Sequence, residues 1–148
     1  MDAQLLIVPY TNRMAKKVLV IEDDAFLSSL VSEKLVQTGF VVDTTMSGKE
    51  GVEKAHNNPD LILLDVMLPD MGGFEVLEAL KADPTTKDIP VIILSNLGGR
   101  EEIEKGIRLG AATYLIKSNV LPHEVAEMVE ERIVAREKSQ TPVPPPQT

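Results

Sequence analysis

Cysteine is absent from the 148-residue chain. No disulfide framework, thiol nucleophile or cysteine-based zinc site can therefore exist, which is compatible with a cytoplasmic home. Positive charge is the minority sign: 15 Lys and Arg stand against 23 Asp and Glu, a formal net charge of −8. Nucleic-acid backbones and anionic membrane surfaces are held by Lys/Arg-rich faces, so this balance argues against both as partners. Long apolar runs are missing too. Val18–Ile21 and Leu61–Leu64 are far shorter than the roughly 20 residues of a bilayer-spanning helix. Leu5–Val8 is too short for a signal-peptide core and follows Asp2 instead of basic residues.

What remains is the balance of one soluble globular domain, 43% hydrophobic and 26% charged, with enough chain for a real core. Its centre is Leu61-Ile62-Leu63-Leu64-Asp65-Val66-Met67-Leu68-Pro69-Asp70-Met71-Gly72-Gly73. A short unbroken apolar run bounded by turn residues suits a strand buried on both faces, as in a parallel sheet between helices. Asp65 then stands at the carboxyl end of that strand, where open parallel sheets bind their ligands. A cap for the following loop or helix is the plainer alternative for one Asp at a strand end.

The same pattern recurs along the chain. Val18–Ile21 runs into Glu22, Asp23 and Asp24, and Leu27, Leu30, Val31 and Leu35 follow at helical spacing up to Gly39. Asp24 is a natural N-cap, which leaves Glu22 and Asp23 without that explanation. Phe40–Val42 reads as the second strand, and Ser47 caps a short helix that Asn57-Asn58-Pro59 ends. Beyond the central strand, Phe74, Leu77 and Leu80 mark a helix stopped by Asp83-Pro84. Val91–Leu94 is a fourth strand ending in Ser95, and Thr113–Ile116 a fifth ending in Lys117. Between them Ile103, Ile107 and Gly110 outline a helix that Gly106 should make the least stable. A last helix carries Val125, Met128, Val129 and Ile133. Residues 1–15 read as an N-terminal extension, 16–138 as the folded domain and 139–148 as a proline-rich tail.

Five strand–helix alternations predict an α/β fold: a doubly wound, flavodoxin-like five-stranded parallel sheet of order 2-1-3-4-5. That order makes strands 1 and 3 neighbours at the switch point and gathers Glu22, Asp23 and Asp65, with Ser95 and Lys117 further along one edge. Clustered carboxylates repel unless a cation neutralises them. Oxygen donors without His or Cys favour Mg²⁺. A hydroxyl and an ammonium beside the metal suit a phosphoryl group, and a central carboxylate can be its nucleophile.

These residues resemble the receiver domain of two-component response regulators, over about residues 16–138. The matching positions are Glu22-Asp23, Asp65 with its Pro/Gly loop, Ser95, Tyr114 and Lys117. The resemblance implies that Asp65 takes a phosphoryl group from a sensor histidine kinase or phosphotransfer protein. It implies Mg²⁺ held by Asp23, Asp65 and the Met67 carbonyl, with Glu22 acting largely through water. Ser95 and Lys117 would contact the phosphoryl oxygens. Ser95 and Tyr114 would be the switch, coupling the site to a protein-binding face made by the fourth helix, fifth strand and fifth helix. Such a domain is a phosphoacceptor, not a turnover enzyme, cytoplasmic, and a monomer or phosphorylation-dependent dimer. The expectation is a chemotaxis-regulator-like receiver, standing alone or cut from a longer regulator.

Two local departures are visible. Ser118 follows Lys117 where the family usually has proline, and Asn96 follows Ser95 where a small residue is usual. A cis bond before serine costs about 3–4 kcal/mol, so Lys117–Ser118 is expected trans, with the loop re-routed to keep the ammonium in place. A haloacid-dehalogenase-type phosphatase would need an Asp where Met67 stands. A flavin module would need a phosphate loop where Glu22-Asp23-Asp24 stand. An unphosphorylated interaction module would usually lack the acceptor or its acidic neighbours.

Overall fold

The computed structural model describes residues 16–140, so the Leu5–Val8 run and the chain from Thr141 lie outside the described residues. In order the elements are β1 (Lys17–Ile21), α1 (Ala25–Thr38), β2 (Val41–Thr45), α2 (Gly48–Lys54), β3 (Leu61–Leu64), α3 (Gly73–Ala82), β4 (Val91–Ser95), α4 (Arg100–Arg108), β5 (Thr113–Ile116) and α5 (Pro122–Gln140). Single 3₁₀ turns at Ala55–Asn57 and Lys117–Asn119 follow α2 and β5. All strand pairs are parallel and the sheet order is β2-β1-β3-β4-β5, the predicted topology.

Alternation along each strand divides the core into two layers. Val18, Val20, Leu61, Leu63, Ile92, Leu94 and Leu115 pack with Val31 and Leu35 of α1 and Val125, Val129 and Ile133 of α5. Leu19, Ile21, Ile62, Leu64, Val91 and Ile93 pack on the opposite face with Ala55 and with Val76, Leu77 and Leu80 of α3. Both faces are covered, so the inner strands carry no polar alternation. Burying each such side chain is worth ~1.5–3 kcal/mol relative to exposure.

The helix starts follow the sequence reading. The Asp24 carboxylate accepts the N–H groups of Phe26 and Leu27, and Ser47 Oγ accepts that of Glu50. Gly39 ends α1 at φ 107°, a conformation that favours glycine. Two boundaries differ from expectation. Phe40 precedes β2: its N–H returns to the Leu35 carbonyl as part of the helix end, and its ring enters the core while the edge strand continues through the exposed Asp43 and Thr44. The last helix runs to Gln140, two residues beyond the expected limit at 138, since the first proline after it is Pro142.

The register fixes where the polar residues emerge. Ile21 lies opposite Leu64, so Glu22 and Asp65 leave neighbouring strands side by side. Ser95 lies opposite Ile116, which sets Lys117 next to the end of β4.

Candidate functional site

At this edge the three carboxylates meet. Oxygens of Glu22, Asp23 and Asp65 lie within 4.8 Å of one another. Strand ends hold them there: the Asp65 N–H donates to Ile21 C=O and the Glu22 N–H to Thr45 C=O, both at 3.0 Å. Glu22 and Asp65 are buried whereas Asp23 is exposed to an open hollow of about 610 Å³. Asp24, Val66, Met67, Leu68, Pro69 and Lys117 also line it.

Lys117 crosses from the far side of the pocket, its Nζ 2.7 Å from Asp65 Oδ2 and 2.9 Å from Glu22 Oε1. One ammonium thus serves two buried carboxylates, and Asp23 remains beside them. Burial pushes the Glu22 carboxyl up to about 7, although hydrogen bonds from Lys117 and the Asp24 N–H pull it down. Burial also works against the charge on Lys117, but its hydrogen bonds to Asp65 and Glu22 outweigh that and raise its pKa. The donor set is all oxygen, with carboxylates in excess of cations, and it fits a hard divalent ion such as Mg²⁺.

Ser95 is fully buried at the end of β4, and its Oγ accepts the Leu97 N–H at 3.2 Å. The Leu97 carbonyl in turn accepts the hydroxyl of Tyr114. The Tyr114 ring lies against Gly106 of α4, where an added Cβ would come within 2.8 Å of Ile93 Cδ1 and 2.9 Å of the ring. The glycine that lowers the helix propensity of α4 therefore makes room for this ring. Lys117–Ser118 is trans, like every peptide bond among the described residues, and the 3₁₀ turn that follows leaves the ammonium in the pocket.

All seven residues singled out in the sequence thus come to one edge: Glu22, Asp23, Asp65, Met67, Ser95, Tyr114 and Lys117. Met67 lies in the β3–α3 loop with its N–H on Asp65 Oδ1 at 3.0 Å. Two supports escaped the sequence reading. Gly73 begins α3 so close to β3 that an added Cβ would lie 2.3 Å from the Asp65 carbonyl oxygen. Asp70, noted only as part of the Pro/Gly loop after Asp65, binds the start of α2. Its partners are more than 20 residues away in sequence, and no local pattern links them.

Known proteins are similar to this chain in sequence and fold. The family model "Response regulator receiver domain" matches residues 18–130. The chain is 40% identical over 105 residues to the response regulator PleD of Caulobacter vibrioides, covering 70% of this chain and 23% of that protein. It is 40% identical over 114 residues to the DNA-binding dual master transcriptional regulator RpaA of Synechocystis, covering 76% of this chain and 46% of RpaA. The chain therefore spans less than half the length of these relatives. Among solved structures, a CheY-like receiver domain protein from Methanospirillum hungatei superposes with a TM-score of 0.76 at 29% identity, over 84% of this chain and 98% of that one. The BeF₃-activated DrrB receiver domain does so with a TM-score of 0.72 at 32% identity, over 81% and 97%. Fold, acidic edge and sequence agree: this chain belongs to the response regulator receiver domain family.

Proposed function

We propose that Asp65 is the phosphoacceptor of this receiver. A carboxylate oxygen of Asp65 attacks the phosphorus of a phosphohistidine on a sensor kinase or phosphotransfer protein. The P–N bond breaks and the imidazole leaves. Asp23, Asp65 and the Met67 carbonyl would hold Mg²⁺, with Glu22, turned toward Lys117, acting through water. When bound, the ion would offset the charge of the carboxylates and of the incoming group. Lys117 stands ready to offset phosphoryl charge, and the Ser95 hydroxyl to donate a hydrogen bond to it.

Signalling would leave the site through Leu97. If Ser95 turns to a phosphoryl oxygen, the Leu97 N–H loses its acceptor, and the Leu97 carbonyl is the partner of Tyr114. The chain then works as a cytoplasmic phosphoacceptor switch, not a turnover enzyme. Its α4–β5–α5 face meets a downstream protein or a second phosphorylated copy, with no direct contact to nucleic acid or membrane. Among the described residues no helix is long and apolar enough to cross a membrane. The reading also takes residues 16–138 as the working domain, with the segments on either side as extension and tail.

The observation that carries the proposal is a buried aspartate at the sheet switch point, between two acidic neighbours and one lysine. Its test is intact-mass analysis with a small phosphodonor and Mg²⁺. Wild type should gain one phosphoryl group and Asp65→Asn none; equal labelling of both overturns the assignment.

A further inference from the structure

We infer that Asp70 is a positioning residue, which pins the β3–α3 loop to the start of α2 and so holds the Met67 carbonyl in place for the cation. The inference rests on reading the acidic pocket as a Mg²⁺ site. Asp70 lies on the exposed part of the loop, yet its carboxylate has three donors. Oδ1 accepts the Gly48 N–H at 2.8 Å, and Oδ2 accepts the Ser47 hydroxyl at 2.8 Å and the Lys49 N–H at 3.1 Å. These bonds hold the carboxyl well below the usual carboxylate range, at about 2.

A plain capping role does not account for the arrangement. Helix α2 already has its own N-cap, since Ser47 Oγ accepts the Glu50 N–H at 3.2 Å. What Asp70 adds is a tie between two segments. The loop is pressed onto α2 beside this tie: an added Cβ at Gly48 would lie 3.0 Å from Met71 Cβ and 3.1 Å from the Met71 carbonyl oxygen. At its ends the loop is held by the Met67 N–H on Asp65 and by the Gly73 N–H on Val66 C=O at 2.9 Å. Met67 therefore sits between two fixed points, the Asp65 carboxylate and the Asp70 anchor. A backbone carbonyl cannot be tuned by its own side chain; only the placement of its loop can aim it.

Groups that orient ligands without touching the metal are worth about 10–100-fold in affinity. Calorimetric Mg²⁺ titration of the whole chain tests this. Asp70→Ala should raise the dissociation constant about tenfold. Asp70→Asn, which keeps an acceptor for the α2 N–H groups, should stay within about threefold of wild type. Amide exchange in the metal-free protein should quicken at Met67 and Leu68 in Asp70→Ala and not in β4. Lys81→Ala is the control for lost stability alone, because Lys81 Nζ caps the Lys87 and Ile89 carbonyls away from the pocket. Ser47→Ala removes one of the three bonds to Asp70 and keeps the question decidable if Asp70→Ala does not fold; it should weaken Mg²⁺ binding less than tenfold but measurably. Wild-type affinity in both Asp70→Ala and Ser47→Ala, or an equal loss in Lys81→Ala, overturns the inference while leaving the pocket a metal site. If wild type itself binds no Mg²⁺, the reading of the pocket falls and the inference falls with it.

Discussion

Two loops at the sheet edge that carries the site, after β3 and after β4, are held in different ways. The β3–α3 loop, from Val66 to Gly72, is tied to Asp65 at one end, to α2 through Asp70 in the middle and to α3 through Gly73 at the other. The β4–α4 loop, from Asn96 to Gly99, ends, as the β3–α3 loop does at Gly72, on an N-cap glycine that provides no side-chain bond. Its Leu97 is held through the Ser95 hydroxyl and the Tyr114 hydroxyl, the residues assigned to the switch. On the proposed reading, the loop that would present a carbonyl is fixed by groups outside the chemistry, and the loop that would respond is held by the groups that would change partners. Each loop is held by the groups it borrows from elsewhere in the fold.

The largest effect is expected at the glycine that begins α3. An added Cβ at Gly73 would lie 2.2 Å from Val66 Cα and 2.3 Å from the Asp65 carbonyl oxygen, backbone atoms that cannot turn aside. Gly73→Ala should cost about 3 kcal/mol, read by denaturant unfolding, and should weaken Mg²⁺ binding as well. At Gly99 the nearest atom is Glu102 Oε2 at 2.4 Å, the end of a flexible side chain. Gly99→Ala should cost less than about 1 kcal/mol, the preference for glycine over alanine at an N-cap. Comparable losses at both positions would erase the distinction between the loops.

A smaller effect sharpens it. Alanine at Gly106 would favour α4 by about 0.5–1 kcal/mol on helix propensity. It would also crowd Ile93 and the Tyr114 ring, and overpacking of this kind costs about 1–3 kcal/mol. A net loss near 1 kcal/mol should come with faster amide exchange at Leu97 and a changed Tyr114 side-chain rotamer by NMR. Mg²⁺ affinity should stay at the wild-type value. If exchange quickens at Met67 instead, the two loops are not independently held.

The smallest test uses acid. Asp70 has a folded pKa of about 2, below its unfolded value, so its contribution is present above the unfolded pKa and is lost as pH falls through about 2. His56 works in the other sense. Its pKa is raised by the hydrogen bond to Asp83 at 2.9 Å, so the contribution of that pair is full below the unfolded pKa and is lost as pH rises through the folded one. Carbon-detected NMR should show Asp70 ionised and the Met71 amide shift unchanged down to about pH 3. A normal carboxylate midpoint at Asp70 would show that its three bonds do not hold in solution.

Much of this was legible in the chain. Unbroken apolar runs such as Leu61–Leu64 betray strands covered on both sides, and each run that ends in a polar residue marks the same sheet edge. Topology then follows from the handedness of crossovers, so Glu22, Asp23, Asp65, Ser95 and Lys117 could be assembled from one dimension. The edge strand was less clear: Val41–Thr45 turns polar because it lies at the rim of the sheet, where Val41, Asp43 and Thr44 are exposed, and Phe40 belongs to the helix end before it. Distance in space decided the rest. That Asp70 answers Ser47 and Gly48, and that Gly106 accommodates Tyr114, depends on how α2 and α4 lie on their layer. Local propensity describes Gly106 as a weak point in a helix and Asp70 as a turn. Only packing, where the missing Cβ and the borrowed N–H groups have partners, makes them supports of the site.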